Sequence, residues 1–135
     1  YALFAETLKR FQISTKFFDV DELENIKNAI TDKTKIIFLE SVGNPNMRLP
    51  DIKAVADIAN SSEVALIVDN TITPLSISPI SLGADIVVYS TTKIISGNAS
   101  ALGGCAVFRA IKDGEDKFKG KRYPFMAKFI KGAKK

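Results

Sequence analysis

Residues 64–93 read VALIVDNTITPLSISPISLGADIVVYSTTK, and this stretch decides the fold class. It contains two unbroken apolar runs, at 64–68 and 86–88, and polar side chains follow each run. Strands with continuous rather than alternating apolar residues are usually buried on both faces, as in a parallel sheet covered by helices. The stretch therefore predicts two central strands of such a sheet.

Strand and helix patterns alternate on either side of this stretch. Strands are predicted at residues 15–20, 35–41, 64–69, 86–90 and 104–108. Helical spacing of apolar residues occurs in three places: Phe4, Leu8 and Phe11; then Leu23, Ile26 and Ile30 after a capping Asp21; then Ile52, Val55, Ala56 and Ala59 after Pro50 and Asp51. This alternation is typical of βαβ units, so the predicted fold class is α/β.

The composition excludes several kinds of protein. The chain has 135 residues, 46% of them hydrophobic and 25% charged, which suits one soluble globular domain. It contains no histidine, which removes Ser-His-Asp and Cys-His hydrolases and most zinc sites, and no metal is expected. The single cysteine, Cys105, lies in an apolar run and is interpreted as a small core residue.

The same features bear on location and partners. The sequence has neither an apolar run of bilayer length nor a basic-then-apolar leader, and its one cysteine suits a reducing compartment, so a cytoplasmic location without membrane contact is expected. From Lys117 onward there are eight Lys or Arg and no acid, whereas the rest carries eleven bases and fifteen acids. Such a tail could contact nucleic acid, but a solvated chain end is the favoured interpretation, and no nucleic-acid partner is predicted.

Polar side chains follow three of the predicted strands. Gly43 and Asn44 come after the strand at 35–41, Asp69 ends the next strand, and Ser90 to Lys93 follow the strand at 86–90. In open α/β sheets, ligands bind beyond the carboxyl ends of the strands. If these strands are parallel neighbours, an amide, a carboxylate, hydroxyls and an amine meet at one edge, which suits an anionic, aromatic cofactor that carries an aldehyde.

Each group has a chemical reason to be there, and each also has an ordinary explanation. A lysine amine can condense with an aldehyde, and a carboxylate can keep a pyridine nitrogen protonated. Ser90 and Thr92 are two residues apart, so on an extended segment their hydroxyls face the same way and could share a phosphate. Taken singly, Asp69 could be a turn residue, Ser90 a helix cap and Lys93 a solvated side chain. Their joint occurrence at successive strand ends favours the functional interpretation.

Three segments carry a resemblance to a known family. They are ESVGNP at 40–45 followed by Asp51-Ile52, then LIVDNT at 66–71, then ADIVVYSTTK at 84–93. Their order and content resemble the Cys/Met-metabolism enzymes that use pyridoxal 5'-phosphate (PLP), the cystathionine γ-synthase-like family. The resemblance runs from Tyr1 to about Phe108 and covers only the central part of the family's longer chains. It implies part of the large, mainly parallel-sheet domain of a fold-type I PLP-dependent transferase.

The resemblance also implies a role for each of six residues. Lys93 would be the catalytic lysine that forms the Schiff base with PLP, and Asp69 would pair with the pyridine nitrogen. Ser90 and Thr92 would bind the phosphate. Asn44 would lie near the phenolic oxygen and Thr71 near the ring. By the same resemblance, residues 1–112 form the PLP-binding segment, and 113–135 form a basic tail of unclear placement.

Within the family, Gly43 and the run SGNASALGG at 96–104 look most like O-acetylhomoserine sulfhydrylases. Turn formation and close packing are the other explanation for the glycines of that run. The implied reaction is γ-replacement on O-acetylhomoserine by sulfide or a thiol in methionine biosynthesis, within a homo-oligomer of two or four subunits. The alternatives are γ- or β-elimination on a thioether amino acid, and a catalytically inactive fragment. The stretch alone is expected to be inactive, because the family's substrate-binding arginine and ring-stacking tyrosine have no counterparts in it.

Overall fold

The computed structural model describes residues 1–110, and these contain a four-stranded sheet. The strands are β1 Ile36–Glu40, β2 Ala65–Asp69, β3 Ile86–Ser90 and β4 Gly104–Phe108. They lie in the order β1-β2-β3-β4, with the first three parallel and β4 antiparallel to β3. The predicted mainly parallel α/β architecture is confirmed. The basic tail at 113–135 and the boundary proposed at residue 112 lie outside the described residues.

The strand register aligns the ends at which polar residues were expected. Glu40 at the end of β1 is paired with Asp69 at the end of β2. Asp69 is in turn paired with Val88 of β3, two residues before Ser90. Ser90 is paired with Gly104, where β4 begins. The carboxyl ends of the three parallel strands therefore form one continuous edge, to which β4 contributes its first residue.

One helix provides most of the core beside the sheet. Helix α2, Ile52–Ser61, begins where Asp51 Oδ1 accepts a hydrogen bond from the backbone N–H of Ala54 at 2.9 Å. This bond satisfies one of the free amides of the first turn, and the helix starts where Pro50 and Asp51 predicted. The four apolar residues of its predicted stripe are buried and pack with residues of β2 and β3: Ile52, Val55, Ala56 and Ala59 against Leu66, Val68 and Val87.

Helix α1, Leu23–Ala29, differs from its prediction at both ends. Its cap is Glu22, without a side-chain cap bond, because the carboxylate of Asp21 binds the guanidinium of Arg48 instead. The last residue of the predicted stripe, Ile30, follows the helix in an extended conformation. The stripe is half-buried rather than buried.

The predicted strand at residues 15–20 is wrong, since this segment pairs with no strand of the described sheet. Its apolar composition suited a strand, but a strand needs a hydrogen-bonded neighbour. Phe17 instead stacks on the ring of Tyr1, with centroids 5.1 Å apart. The chain before it forms two short helical turns, Leu3–Thr7 of π type and Leu8–Phe11 of 3-10 type, and Phe4 contacts Phe38 of β1 at a centroid distance of 4.7 Å.

Burial on both faces holds for β2 but not for the outer strands. Along β1, Ile36 and Phe38 are exposed and alternate with half-buried residues. Residues 104–107 of β4 are all exposed, so the prediction of Cys105 as a core residue is wrong. Continuous apolar sequence could not reveal this, because the burial of a strand depends on what covers it.

Within residues 1–110, no helix is long and apolar enough to cross a membrane.

A buried ion pair that the sequence analysis missed lies at the opposite end of the sheet from the aligned carboxyl ends. Asp85 is 1% exposed, and its Oδ2 accepts a hydrogen bond from the backbone N–H of Leu66 at 2.9 Å. Its Oδ1 binds the guanidinium of Arg109, whose backbone N–H also donates to the Asp85 carbonyl at 2.9 Å. The pair therefore joins the start of β2, the start of β3 and the end of β4.

Candidate active site

The six residues singled out from the sequence lie at the aligned carboxyl ends of β1, β2 and β3, or just beyond them. Asp69 and Ser90 are the last residues of β2 and β3. The others lie in the connections that follow the strands: Asn44 after β1, Thr71 after β2, and Thr92 and Lys93 in a helical turn, Thr91–Ile95, after β3. The fold thus gathers the predicted groups at one edge, where ligands bind in open α/β sheets.

Thr71 connects the ends of β2 and β3. Its backbone N–H donates to Asp69 Oδ1 at 2.9 Å, and its Oγ1 accepts a hydrogen bond from the backbone N–H of Ser90 at 2.8 Å. The first bond fixes the orientation of the carboxylate. The second uses Oγ1 as an acceptor, so the hydroxyl proton of Thr71 can still be donated to another group.

The segment after β3 differs in conformation from the prediction. Ser90 is extended, at φ −79° and ψ 108°, but a helical turn begins at Thr91. The prediction that Ser90 and Thr92 share one extended segment is therefore wrong. Thr92 Oγ1 accepts a hydrogen bond from the backbone N–H of Gly103 at 2.9 Å and donates to the Gly103 carbonyl at 3.3 Å. Since the donated bond is long, an anion at this edge could replace the carbonyl as its acceptor.

Lys93 lies inside this turn and interrupts it. Its backbone, at φ −87° and ψ −117°, departs from helical geometry, and its side chain is exposed. Ser96 Oγ donates to the Thr92 carbonyl at 2.8 Å, and the backbone N–H of Gly97 donates to the Lys93 carbonyl at 3.0 Å. These bonds hold the backbone on both sides of the lysine while its amine stays accessible.

Hydrogen bonds to Glu40 and Arg48 hold the loop that carries Asn44. The backbone N–H of Asn44 donates to Glu40 Oε2 at 3.0 Å, and Gly43 N–H donates to the Arg48 carbonyl at 2.8 Å. The guanidinium of Arg48 binds the carboxylates of Asp19 and Asp21. The hydrogen bond from Arg48 lowers the pKa of Asp19, against a smaller opposing effect of desolvation. The Asn44 side chain itself is exposed.

A buried polar cluster, missed by the sequence analysis, lies beside these groups. Asn70 is 0% exposed, and its side-chain N–H donates to the Ile77 carbonyl at 2.9 Å. Its Oδ1 accepts a hydrogen bond from Thr73 Oγ1 at 2.8 Å, and Thr73 Oγ1 lies 2.9 Å from Ser41 Oγ. Ser41 and Asn70 each directly follow an apolar strand, and this position could have indicated them from the sequence. The spacing of polar residues along the sequence did not single out Thr73.

These side chains fit a PLP-like group. A carboxylate held in one orientation suits a protonated ring nitrogen, an exposed amine suits an aldehyde, and hydroxyls with a free proton suit a phosphate. Within residues 1–110, no three His, Cys, Asp or Glu side chains gather as metal ligands.

The chain matches a protein-family model. Residues 1–123 match the model described as "Cys/Met metabolism PLP-dependent enzyme".

Similar proteins include enzymes with different names. A cystathionine gamma-lyase of Dictyostelium discoideum is 41% identical over 75% of the chain and 26% of its own length. A homocysteine synthase of Schizosaccharomyces pombe is 40% identical over 79% of the chain and 25% of its own length. A crystal structure of a putative O-acetylhomoserine (thiol)-lyase from Campylobacter jejuni, with a pyridoxyl-lysine phosphate, superposes with a TM-score of 0.78 at 38% identity, over 81% of this chain and 27% of that one. The chain thus spans about a quarter of the length of these relatives.

Proposed function

Because the chain belongs to the family of Cys/Met-metabolism PLP-dependent enzymes, we propose that the protein containing it replaces the γ-acetoxy group of O-acetylhomoserine with sulfide or a thiol. The observation that carries the proposal is the gathering of a carboxylate, hydroxyls and a lysine at one edge of the sheet. The choice of reaction is supported by Gly43 and the run at 96–104, which resemble the sulfhydrylases, and by the similarity to the Campylobacter structure.

Each of the six residues has a part in holding the cofactor. Lys93 supplies the amine that binds its aldehyde, and Asp69 keeps a proton on the pyridine nitrogen. Ser90 and Thr92 donate to the phosphate, while Asn44 and Thr71 lie near the phenolic oxygen and the ring. When bound, PLP supplies the electron sink that stabilises negative charge at the substrate α-carbon.

The protein's own groups then move the protons. Lys93 carries the amine at this edge of the sheet, and a lysine amine can act as a base in proton transfer. With the cofactor held at this edge, Lys93 Nζ would take the proton from the substrate α-carbon and move protons at the β-carbon. Acetate leaves from the γ-carbon, and the sulfur nucleophile takes its place. The Thr71 N–H keeps the Asp69 carboxylate in one orientation throughout.

Two other functions remain as rivals. γ- or β-elimination on a thioether amino acid is supported by the Dictyostelium cystathionine gamma-lyase, which shares 41% identity. The second rival is a chain that binds no cofactor and has no activity. PLP bound to a lysine absorbs in the visible, so a spectrum of the purified full-length protein separates an enzyme from an inactive remnant.

Parallel assays with the two substrates distinguish the two reactions. The full-length protein is given O-acetylhomoserine with sulfide, and separately cystathionine, and the release of homocysteine and of α-keto acid is followed. Faster formation of homocysteine from O-acetylhomoserine supports γ-replacement. Faster release of α-keto acid from cystathionine favours elimination instead. The Lys93→Ala variant provides the background rate.

The proposal extends to the assembly and location of the protein. A homo-oligomer of two or four subunits in the cytoplasm is proposed, with an amino acid and sulfide or a thiol as its small-molecule partners. Support comes from the family resemblance and from the single cysteine of the chain. Light scattering of the full-length protein tests the assembly, and a mass equal to one subunit would contradict it.

A further inference from the structure

The buried cluster of Ser41, Thr73 and Asn70, here called the polar relay, connects the same strand ends that carry the proposed cofactor ligands. Ser41 follows β1 and Asn70 follows β2, whereas Thr73 lies in the connection from β2 to β3. Ser41 and Asn70 are 1% and 0% exposed. Thr73 is half-buried, so each hydrogen bond of the relay has one fully buried member, and a lost partner there is costly.

The donors and acceptors of the polar relay allow only one direction for its hydrogen bonds. Asn70 Oδ1 cannot donate, so Thr73 must give its only hydroxyl proton to it across 2.8 Å. In the contact between Ser41 Oγ and Thr73 Oγ1, at 2.9 Å, Ser41 must then be the donor. The amide group of Asn70 donates to the Ile77 carbonyl at 2.9 Å, which fixes its oxygen toward Thr73.

Every member of the relay is close in sequence to a proposed cofactor ligand. Asn70 lies between Asp69 and Thr71, the two residues joined by the bond from Thr71 N–H to Asp69 Oδ1. Ser41 begins the connection that carries Asn44. Asn70 also approaches the hydroxyl of Tyr89, the neighbour of Ser90, at 3.5 Å, the long limit of a hydrogen bond. Movement of the relay would therefore displace ligands from all three parallel strands.

We propose that the polar relay is a positioning network for the cofactor site, with Thr73 as its central residue. The inference rests on the proposed function, because it assumes that Asn44, Asp69 and Ser90 bind PLP. Thr73 contacts none of these groups directly through a hydrogen bond that the structure shows, so it acts through Asn70 and Ser41.

The test uses Thr73→Val in the full-length holoenzyme. Valine keeps the shape but removes the hydroxyl, which leaves Asn70 Oδ1 without its donor and Ser41 without its acceptor. Cofactor affinity should fall about tenfold, which corresponds to ~1.4 kcal/mol. The visible absorption maximum of the bound cofactor should shift, and kcat should fall more than KM rises. Thr73→Ser restores the hydroxyl and should return all three quantities close to the original values.

A hydroxyl pair in the same connection provides the matched control. Ser78 Oγ and Ser81 Oγ are also 2.9 Å apart but exposed. Ser81→Ala should leave cofactor affinity and the absorption maximum unchanged. If Thr73→Val fails to fold, Ser41→Ala replaces it, because it removes only a donor and leaves no buried acceptor unpaired on Asn70. A smaller loss of cofactor affinity is then expected.

Different outcomes would contradict the positioning role of the relay and the proposed function. A parent protein without a visible cofactor band overturns both. A parent with the band, and a folded Thr73→Val variant with the same affinity, absorption maximum and kcat, overturns the positioning role alone. A loss that Thr73→Ser does not restore also overturns it, since the hydroxyl would then not be the cause.

Discussion

At the scale of single residues, Lys93 lies between bonds that fix its backbone, while its amine is free to reach a ligand. We predict that borohydride reduction of the full-length holoenzyme attaches the cofactor to Lys93. Lys93→Ala should lower turnover at least about a hundredfold, the usual range for losing a group that transfers protons. Peptide mapping locates the label, and Lys53→Ala, which removes an exposed lysine paired with Asp57, is the control. A label on any other lysine contradicts the assignment.

Asp69 gives a second prediction at this scale. An amide in place of its carboxylate cannot keep a ring nitrogen protonated by charge, although it can still accept the bond from Thr71 N–H. Losing a charged hydrogen bond costs about 1.5–3 kcal/mol, or roughly ten- to a hundredfold in rate. Asp69→Asn should therefore lower kcat by that factor in steady-state assays and leave urea unfolding nearly unchanged. Asp57→Asn, on the exposed side of α2, should leave both kcat and urea unfolding nearly unchanged. Near-normal kcat in Asp69→Asn would exclude the proposed role.

At the scale of elements, the start of α2 depends on one side chain. Asp51→Ala removes the bond to Ala54 N–H, and loss of such a cap costs about 0.5–2 kcal/mol. Asp57→Ala in the same helix removes only an exposed i,i+4 ion pair, worth about 0.3–0.5 kcal/mol. Urea unfolding should show the larger loss for Asp51→Ala. Equal losses would mean that the cap contributes little to the helix.

The Asn44 loop gives a prediction about pH. The Arg48 guanidinium lowers the pKa of Asp19 below 3.8. A carboxylate whose pKa is lower in the folded state stabilises that state above its unfolded pKa, and the contribution disappears as the pH falls through the folded value. Arg48→Met should raise the pKa of Asp19 toward 3.8, as followed by NMR titration of its carboxyl carbon. Lys53→Met, at the exposed lysine paired with Asp57, is the control and should leave the pKa of Asp19 lowered.

Much of the fold could be predicted from sequence, and the errors share a cause. Continuous apolar runs located β2 and β3, and Pro50 and Asp51 located the start of α2, because these signals are local. The strand at 15–20, the cap at Asp21 and the burial of Cys105 were wrong because each depends on a distant partner. Asp21, for example, binds Arg48, 27 residues away.

The candidate site was likewise predicted where its signals are local and missed where they depend on distant contacts. Its six residues could be singled out because they end or follow strands whose carboxyl ends meet at one edge. Thr73 was not, since its partners Ser41 and Asn70 meet it only in the folded chain. The ion pair of Asp85 with Arg109 was missed for the same reason, as 24 residues separate its two members.

At the scale of the whole molecule, apolar residues lie exposed on both outer strands. Ile36 is 48% exposed on β1 and Val107 is 45% exposed on β4. We predict that residues 1–135, expressed alone, associate in solution and do not turn over O-acetylhomoserine, because exposed apolar strands at a sheet edge favour pairing between copies. Light scattering measures the association, and Ile36→Lys should reduce it. A monomer with ordinary enzyme rates would contradict the prediction.

The antiparallel direction of β4 has a consequence for the register of the sheet. The connection at 91–103 leaves β3 at Ser90 and returns at Gly104 directly opposite. A slip of β4 by one position along β3 would turn its side chains to the other face and take Arg109 away from buried Asp85. The ion pair of Arg109 with Asp85 therefore selects one register for β4, and with it the position at which the segment carrying the lysine ends.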